Sequence, residues 1–278
     1  MIKLLATDLD GTLFYPKRRI KGLSTKNRDF LREYTKKGHS LVLVSGRNIN
    51  VCHRISKKIG SPVSMIGCNG SVIYKDNEFF DDNPMNHDDI KEFYEANKYA
   101  DNVVAWVFMS DRYPLILVPV RLNPLTQIGV KLYLYFQFFY RDKFVFGEKH
   151  LQKLLNDKDA RIYKMMAMYG VGQKKIETAR LETEKFFDAY GTKFEILWSR
   201  EAIEFMKKGV NKANALKKFI NVLKIKEDDV AVVGDSGNDV PLFESFSNSF
   251  VMSNAPEEVK NKAKTQIKSV YCIQDYID

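Results

Sequence analysis

Two apolar runs in this chain each end on a cluster of acidic residues, and no other feature limits its fold as tightly. The first run, residues 2–7, leads into Asp8-Leu9-Asp10-Gly11-Thr12-Leu13. The second, residues 230–233, leads into Gly234-Asp235-Ser236-Gly237-Asn238-Asp239. Short continuous apolar runs suit strands covered on both faces, as in a parallel sheet. Open sheets of that kind place their ligand sites at the carboxyl ends of the strands.

The segments around these runs follow the same grammar. Ser24 can cap a helix over 24–37 that Gly38 ends. A buried strand is expected over 40–45 and a helix over 48–59, stopped by Gly60-Ser61-Pro62, with a third strand over 63–66. Late in the chain the pattern predicts helices over 211–223 and 240–245, a strand over 249–252, and a proline-started helix over 256–264. Between these blocks the pattern changes to long aromatic β runs, at 115–120, 131–140 and 162–169, with a helical stretch over 174–190. A length of 278 residues suits two domains. The expectation is an α/β fold: a Rossmann-like parallel-sheet core from 1–83 and 208–278, with an α+β domain, 84–207, inserted into it. The aromatic run 131–146 reads as core packing in preference to a pocket lining.

Residues two apart on an extended chain point the same way, so Asp8 and Asp10 can face one site. Two carboxylates there would repel a phosphate by about 4 kcal/mol each at 4 Å and an effective dielectric of 20. A magnesium ion removes that obstacle, since it prefers oxygen ligands and binds one or two carboxylates together with phosphate and water. Asp235 is the second carboxylate ligand in this reading. Asp8 is placed to attack phosphorus. Asp10 would protonate the departing alkoxide and then take a proton from water, with the Asp8 charge beside it helping it hold that proton. Ser45 and the Gly46 N–H, at the end of the second strand, can donate to phosphate. Lys212, at a helix start, can neutralise the transferring group. Asn238 is a further donor, Asp239 supports the metal shell, and Gly237 lets the loop turn tightly.

Other functions are disfavoured. The richest apolar stretch, 131–140, is shorter than the about 20 residues a membrane span requires. The N-terminal run reaches Asp8 too soon for a signal peptide, so a soluble, cytoplasmic protein is expected. Cys52, Cys68 and Cys272 form no metal or disulfide pattern, and the four histidines are scattered. The net charge of +9 is spread over surface helices such as 24–37, 55–59 and 259–268, without an arginine stripe interleaved with aromatics, so nucleic acid is not an expected partner.

The motifs together resemble the haloacid dehalogenase (HAD) superfamily, specifically its Cof-type, class IIB phosphatases. The matching pieces are Asp8-Leu9-Asp10-Gly11-Thr12-Leu13, Ser45-Gly46-Arg47, Asn69-Gly70, Gly209-Val210-Asn211-Lys212, Gly234-Asp235-Ser236-Gly237-Asn238-Asp239 and Phe250-Val251-Met252-Ser253-Asn254-Ala255. The resemblance implies a C2B-type cap in the insertion, and Mg2+ held by Asp8, the Asp10 main-chain carbonyl and Asp235, with Asp239 behind. It implies phosphate contacts from Ser45, Lys212 and Asn238, and a place near the substrate for Asn69. It implies hydrolysis of a small phosphorylated metabolite, either a sugar phosphate or a cofactor such as pyridoxal phosphate or FMN. A phosphomutase or phosphotransferase and a non-catalytic sugar-phosphate sensor remain alternatives at this point.

Overall fold

The computed structural model describes residues 2–15, 22–129 and 144–277. The predicted strand 131–140 lies outside the described residues. In chain order the first elements are β1 (Leu4–Thr7), α1 (Thr25–Lys36), β2 (Ser40–Val44), α2 (Asn50–Ile59), β3 (Ser64–Gly67), β4 (Val72–Lys75) and β5 (Glu78–Asp82). There follow α3 (His87–Asn97), β6 (Ala105–Ser110), β7 (Leu115–Pro119), β8 (Phe144–Phe146), α4 (Glu148–Asn156), β9 (Ile162–Met168), α5 (Gln173–Tyr190), β10 (Phe194–Ser199) and β11 (Ala202–Lys207). The last are α6 (Lys212–Leu223), β12 (Val230–Gly234), α7 (Val240–Ser245), β13 (Asn248–Met252), α8 (Glu257–Lys260) and β14 (Thr265–Ile267).

The chain divides into two compact units, Met1–Asp82 with Asn211–Asp278, and Asn83–Val210. The first is built on a sheet ordered β14-β13-β12-β1-β2-β3-β4-β5. It is parallel from β14 to β3, and β4 and β5 add an antiparallel edge. β1 lies between β12 and β2, with Leu4 opposite Val230 and Ser40. Every residue of β1 is buried, which explains its unbroken apolar run.

The helices of this unit start and stop on local chemistry. The Ser24 hydroxyl accepts from the Asn27 N–H, capping α1, and Asn211 does the same for Asn214 at α6. Gly60 adopts φ 76° and ends α2 in the left-handed region. Asn27, buried on α1, donates to the Leu13 carbonyl and accepts from Ser269 and the Tyr271 N–H, joining the turn after β1 to the C-terminal segment. The expected helix over 256–264 is only Glu257–Lys260. Beyond it the chain tightens into turns, and the Lys264 N–H is drawn to the Ser249 hydroxyl, which leads it into β14.

The second unit has a sheet ordered β10-β11-β9-β6-β7-β8. Its pairs are antiparallel except β7 with β8. One face packs on helices: Phe93 and Tyr94 of α3, Leu151 and Leu154 of α4 and Phe186 of α5 share a cluster with Trp106, Phe108, Ile203 and Phe205. Lys164 and Glu204 occupy the alternate strand positions and so leave the helix side. They form a buried ion pair at 2.8 Å, with side chains 2% and 5% exposed. Among the described residues no helix is long and apolar enough to cross a membrane. Cys52, Cys68 and Cys272 are not joined in disulfides, and the first two are buried.

Candidate active site

β1 stops at Thr7, one residue before the first carboxylate. The Asp8 N–H still bonds the Val233 carbonyl at 2.9 Å, so Asp8 is held at the junction of the two central strands. The chain then leaves the sheet in a wide helical turn, Leu9–Leu13, with Asp10 at φ −82°, ψ 112° and Gly11 at φ 87°. Gly11 needs its missing side chain, because a Cβ there would fall within the Asp235 carboxylate. The Thr12 hydroxyl donates to Asp235 Oδ1 at 2.8 Å. The extended alternation expected for Asp8 and Asp10 therefore does not reach Asp10. Its carboxylate turns instead to Arg47, which grips Oδ1 through Nη2 at 2.7 Å and Oδ2 through Nε.

The loop after β12 folds around Asp239. Its Oδ2 accepts from the N–H groups of Asp235 and Ser236 at 2.9 and 3.0 Å, and a Cβ at Gly234 would overlap its carboxylate. Lys212 enters from the first turn of α6. Its Nζ donates to Asp239 Oδ1 at 2.6 Å, to Asp8 Oδ1 at 2.8 Å and to Asn238 Oδ1 at 3.4 Å, and the side chain is fully buried.

The ends of β2 and β3 close the ring. Ser45 is buried; its hydroxyl accepts from the Arg47 N–H, and its carbonyl accepts from the Asn69 N–H. Gly46 lies half-buried between Ser45 and Arg47. Asn69 is buried at φ 58°, and its Oδ1 accepts from Asn238 Nδ2 at 3.3 Å. Gly70 lets this turn press on α6, since a Cβ there would strike the Asn211 carbonyl.

Oxygens of Asp8, Asp235 and Asp239 lie within 4.8 Å of one another, and all three residues are buried. Burial alone would lower the Lys212 pKa, but the Asp239 and Asp8 charges outweigh it and hold the ammonium protonated well above its usual range. Burial pushes the Asp8 carboxyl well above the ordinary carboxylate range, against the pull of Lys212, and the Asp239 and Asp235 charges push it further the same way. Three carboxylates around one ammonium are short of positive charge, and buried charge is costly unless compensated. An all-oxygen set of this kind fits a hard divalent cation. Asp239 already receives Lys212 and two backbone N–H groups, so Asp8 and Asp235 are the carboxylates suited to hold the ion.

The structure thus brings Asp8, Lys212, Asn238 and Asp239 into direct contact, with Asp235 and Asn69 one hydrogen bond further out. Asp10 stands apart from the carboxylate cluster, with Arg47. Neither Arg47 nor Thr12 was singled out as a site residue from sequence. Both lie inside the motifs that were, which was the only available signal.

The family model of the haloacid dehalogenase-like hydrolases matches residues 5–271. A phosphoglycolate phosphatase of Thermoplasma acidophilum is 24% identical over 263 residues, 94% of this chain and 89% of that protein. The 5-amino-6-(5-phospho-D-ribitylamino)uracil phosphatase YcsE of Bacillus subtilis is 25% identical over 262 residues, 94% of this chain and 88% of that one. A haloacid dehalogenase-like hydrolase from B. subtilis superposes with a TM-score of 0.77 at 20% identity, over 100% of both chains. With its parallel sheet and a family match spanning nearly its whole length, the chain belongs to the haloacid dehalogenase-like hydrolases, in their Cof-type branch.

Proposed function

We propose that this protein is a Mg2+-dependent phosphatase that hydrolyses small phosphorylated metabolites through an aspartyl-phosphate on Asp8. The observation that carries this reading is the buried contact of Lys212 with Asp8 and Asp239, beside the Asp235 carboxylate. Asp8 and Asp235 would hold the ion, with the Asp10 main-chain carbonyl as the further ligand. When bound, the ion would offset the carboxylate charge and polarise a phosphoryl oxygen.

An oxygen of Asp8 bonds to phosphorus as the ester oxygen leaves, taking a proton from Asp10. Water then attacks phosphorus, its proton passes to Asp10, and the bond from Asp8 to phosphorus breaks to release inorganic phosphate. Lys212 fixes the Asp8 carboxylate and offsets charge on the transferring group. Ser45, Gly46 and Asn238 supply phosphate donors, and Asn69 orients the Asn238 amide. All of this chemistry lies in the unit formed by Met1–Asp82 and Asn211–Asp278, so we assign the choice among substrates to the inserted unit. Sugar phosphates and phosphorylated cofactors such as pyridoxal phosphate or FMN are the compounds to offer first. Relatives named for phosphoglycolate and for a phosphoribityl compound support a small phosphomonoester.

The test is phosphate release from such a panel, with Mg2+ and with EDTA, for the wild type and Asp8→Asn. Release that needs Mg2+ and vanishes in the variant is expected. Equal release by the variant sinks the nucleophile assignment.

A further inference from the structure

The side-chain pair of Arg47 and Asp10 lies outside the Asp8–Asp235–Asp239 carboxylate cluster and the Lys212 network, yet it is built with care. Arg47 is anchored through its backbone: its N–H donates to the Ser45 hydroxyl and its carbonyl accepts from the Cys68 N–H at 2.9 Å. Its side chain is 16% exposed, whereas that of Asp10 is 41% exposed. Gly11 and the buried Leu9 and Thr12 fix the backbone of the turn, but a side chain as open as Asp10 needs a partner to hold one rotamer. The guanidinium is that partner, and it takes both carboxylate oxygens. A bidentate fork fixes direction as well as distance, which a lysine ammonium cannot do.

We propose that Arg47 is a positioning residue for the water-activating half of the reaction; this inference rests on the phosphatase reading above. The fork matches the ionised form that Asp10 takes once it has protonated the leaving group, and each oxygen keeps a lone pair on which the water proton can be received. In the assisted step a water oxygen bonds to the phosphorus carried on Asp8, the phosphorus–Asp8 bond breaks, and the water proton moves to Asp10. In this role Arg47 acts through Asp10, by aiming its carboxylate, and not on the phosphorus or the water.

The kinetic signature is specific. With p-nitrophenyl phosphate the leaving group needs no proton, so the first step stays fast and only hydrolysis of the acyl phosphate slows. Arg47→Ala should lower kcat and KM together, on the order of tenfold to a hundredfold, because general acid–base assistance contributes about 10²–10⁴-fold. The ratio kcat/KM should stay within about threefold, and a burst of about one p-nitrophenolate per protein should appear before the slow steady rate. Arg47→Lys should keep the defect, and added guanidinium ion should restore turnover to Arg47→Ala. Asp10→Asn should show the same burst. A fall in kcat/KM with unchanged or raised KM would mark Arg47 as a substrate-binding or merely structural residue and overturn the inference, as would wild-type kcat in Arg47→Ala. If the wild type itself releases nothing with Mg2+, the phosphatase reading falls too, so the two failures are told apart.

Discussion

Lys212 joins side chains from loops more than two hundred residues apart, Asp8 on one and Asn238 and Asp239 on the other. Removing one partner of a buried charge pair leaves the others uncompensated, at a cost of about 3–5 kcal/mol. Lys212→Ala should therefore lower stability by about that much in a denaturant titration, as well as abolish turnover. A stability change under about 1 kcal/mol would show that the ammonium is not the structural centre of the site. Gly11→Ala forces a Cβ into Asp235 at a positive φ and should weaken Mg2+ binding measured by calorimetry, while distant Gly38→Ala, which meets no atom, should leave it intact. At this scale the motifs made Asp8, Lys212 and Asp235 legible, because residue type and position beside an apolar run were enough. Arg47 was not legible as Asp10's partner. Their pairing depends on β1 ending at Thr7 and on Gly11 reversing the turn, and neither follows from residue periodicity.

Among the elements, α6 does the most positioning. Asn211 caps it and presents its carbonyl to Gly70, while the next residue is Lys212. Asn211→Ala should cost about 1 kcal/mol, the usual loss of a cap. It should also slow turnover, because the cap sets the angle at which Lys212 enters the site; unchanged kinetics would separate capping from catalysis. In the inserted unit β7 and β9 were legible from their apolar and aromatic runs, whereas β6, β10 and β11 were not among the expected strands; nor was the Lys164–Glu204 pair, since a lone lysine in such a strand reads as an exposed position. Lys164→Ala should destabilise by about 3–5 kcal/mol in a thermal or denaturant melt, and replacing both partners with apolar residues should recover most of that. The shortness of α8 was likewise hidden, because the Ser249 hydroxyl that redirects the chain belongs to a different element.

For the whole molecule, alkaline conditions test how tightly the catalytic unit is packed. Burial pushes the Cys52 thiol up to about 12 from 9.0. Burial also raises Tyr34 of the same unit. A group whose pKa is raised in the folded state contributes stability below its unfolded value and loses it as pH climbs toward the folded one. Stability should therefore fall from pH 9.0 towards about 12, and Cys52→Ala should remove about 1 kcal/mol of that loss by pH 10. Identical pH profiles for the two proteins would show that the thiol is not sealed from solvent.

The central position of β1 has a consequence for synthesis. Leu4 pairs with Val230, so one side of the central strand stays unpaired until the far end of the chain has been made. At about 5–20 residues per second, the ribosome needs at least ten seconds or so to cover that interval. The inserted unit, contiguous from Asn83 to Val210, is synthesised in full shortly before Val230 is reached. During that interval Asp8 has neither Lys212 nor Asp235 beside it, and the nascent chain carries the proposed nucleophile without its partners. The carboxylate cluster is therefore assembled in one late step, when β12, which leads into Asp235, slots against β1.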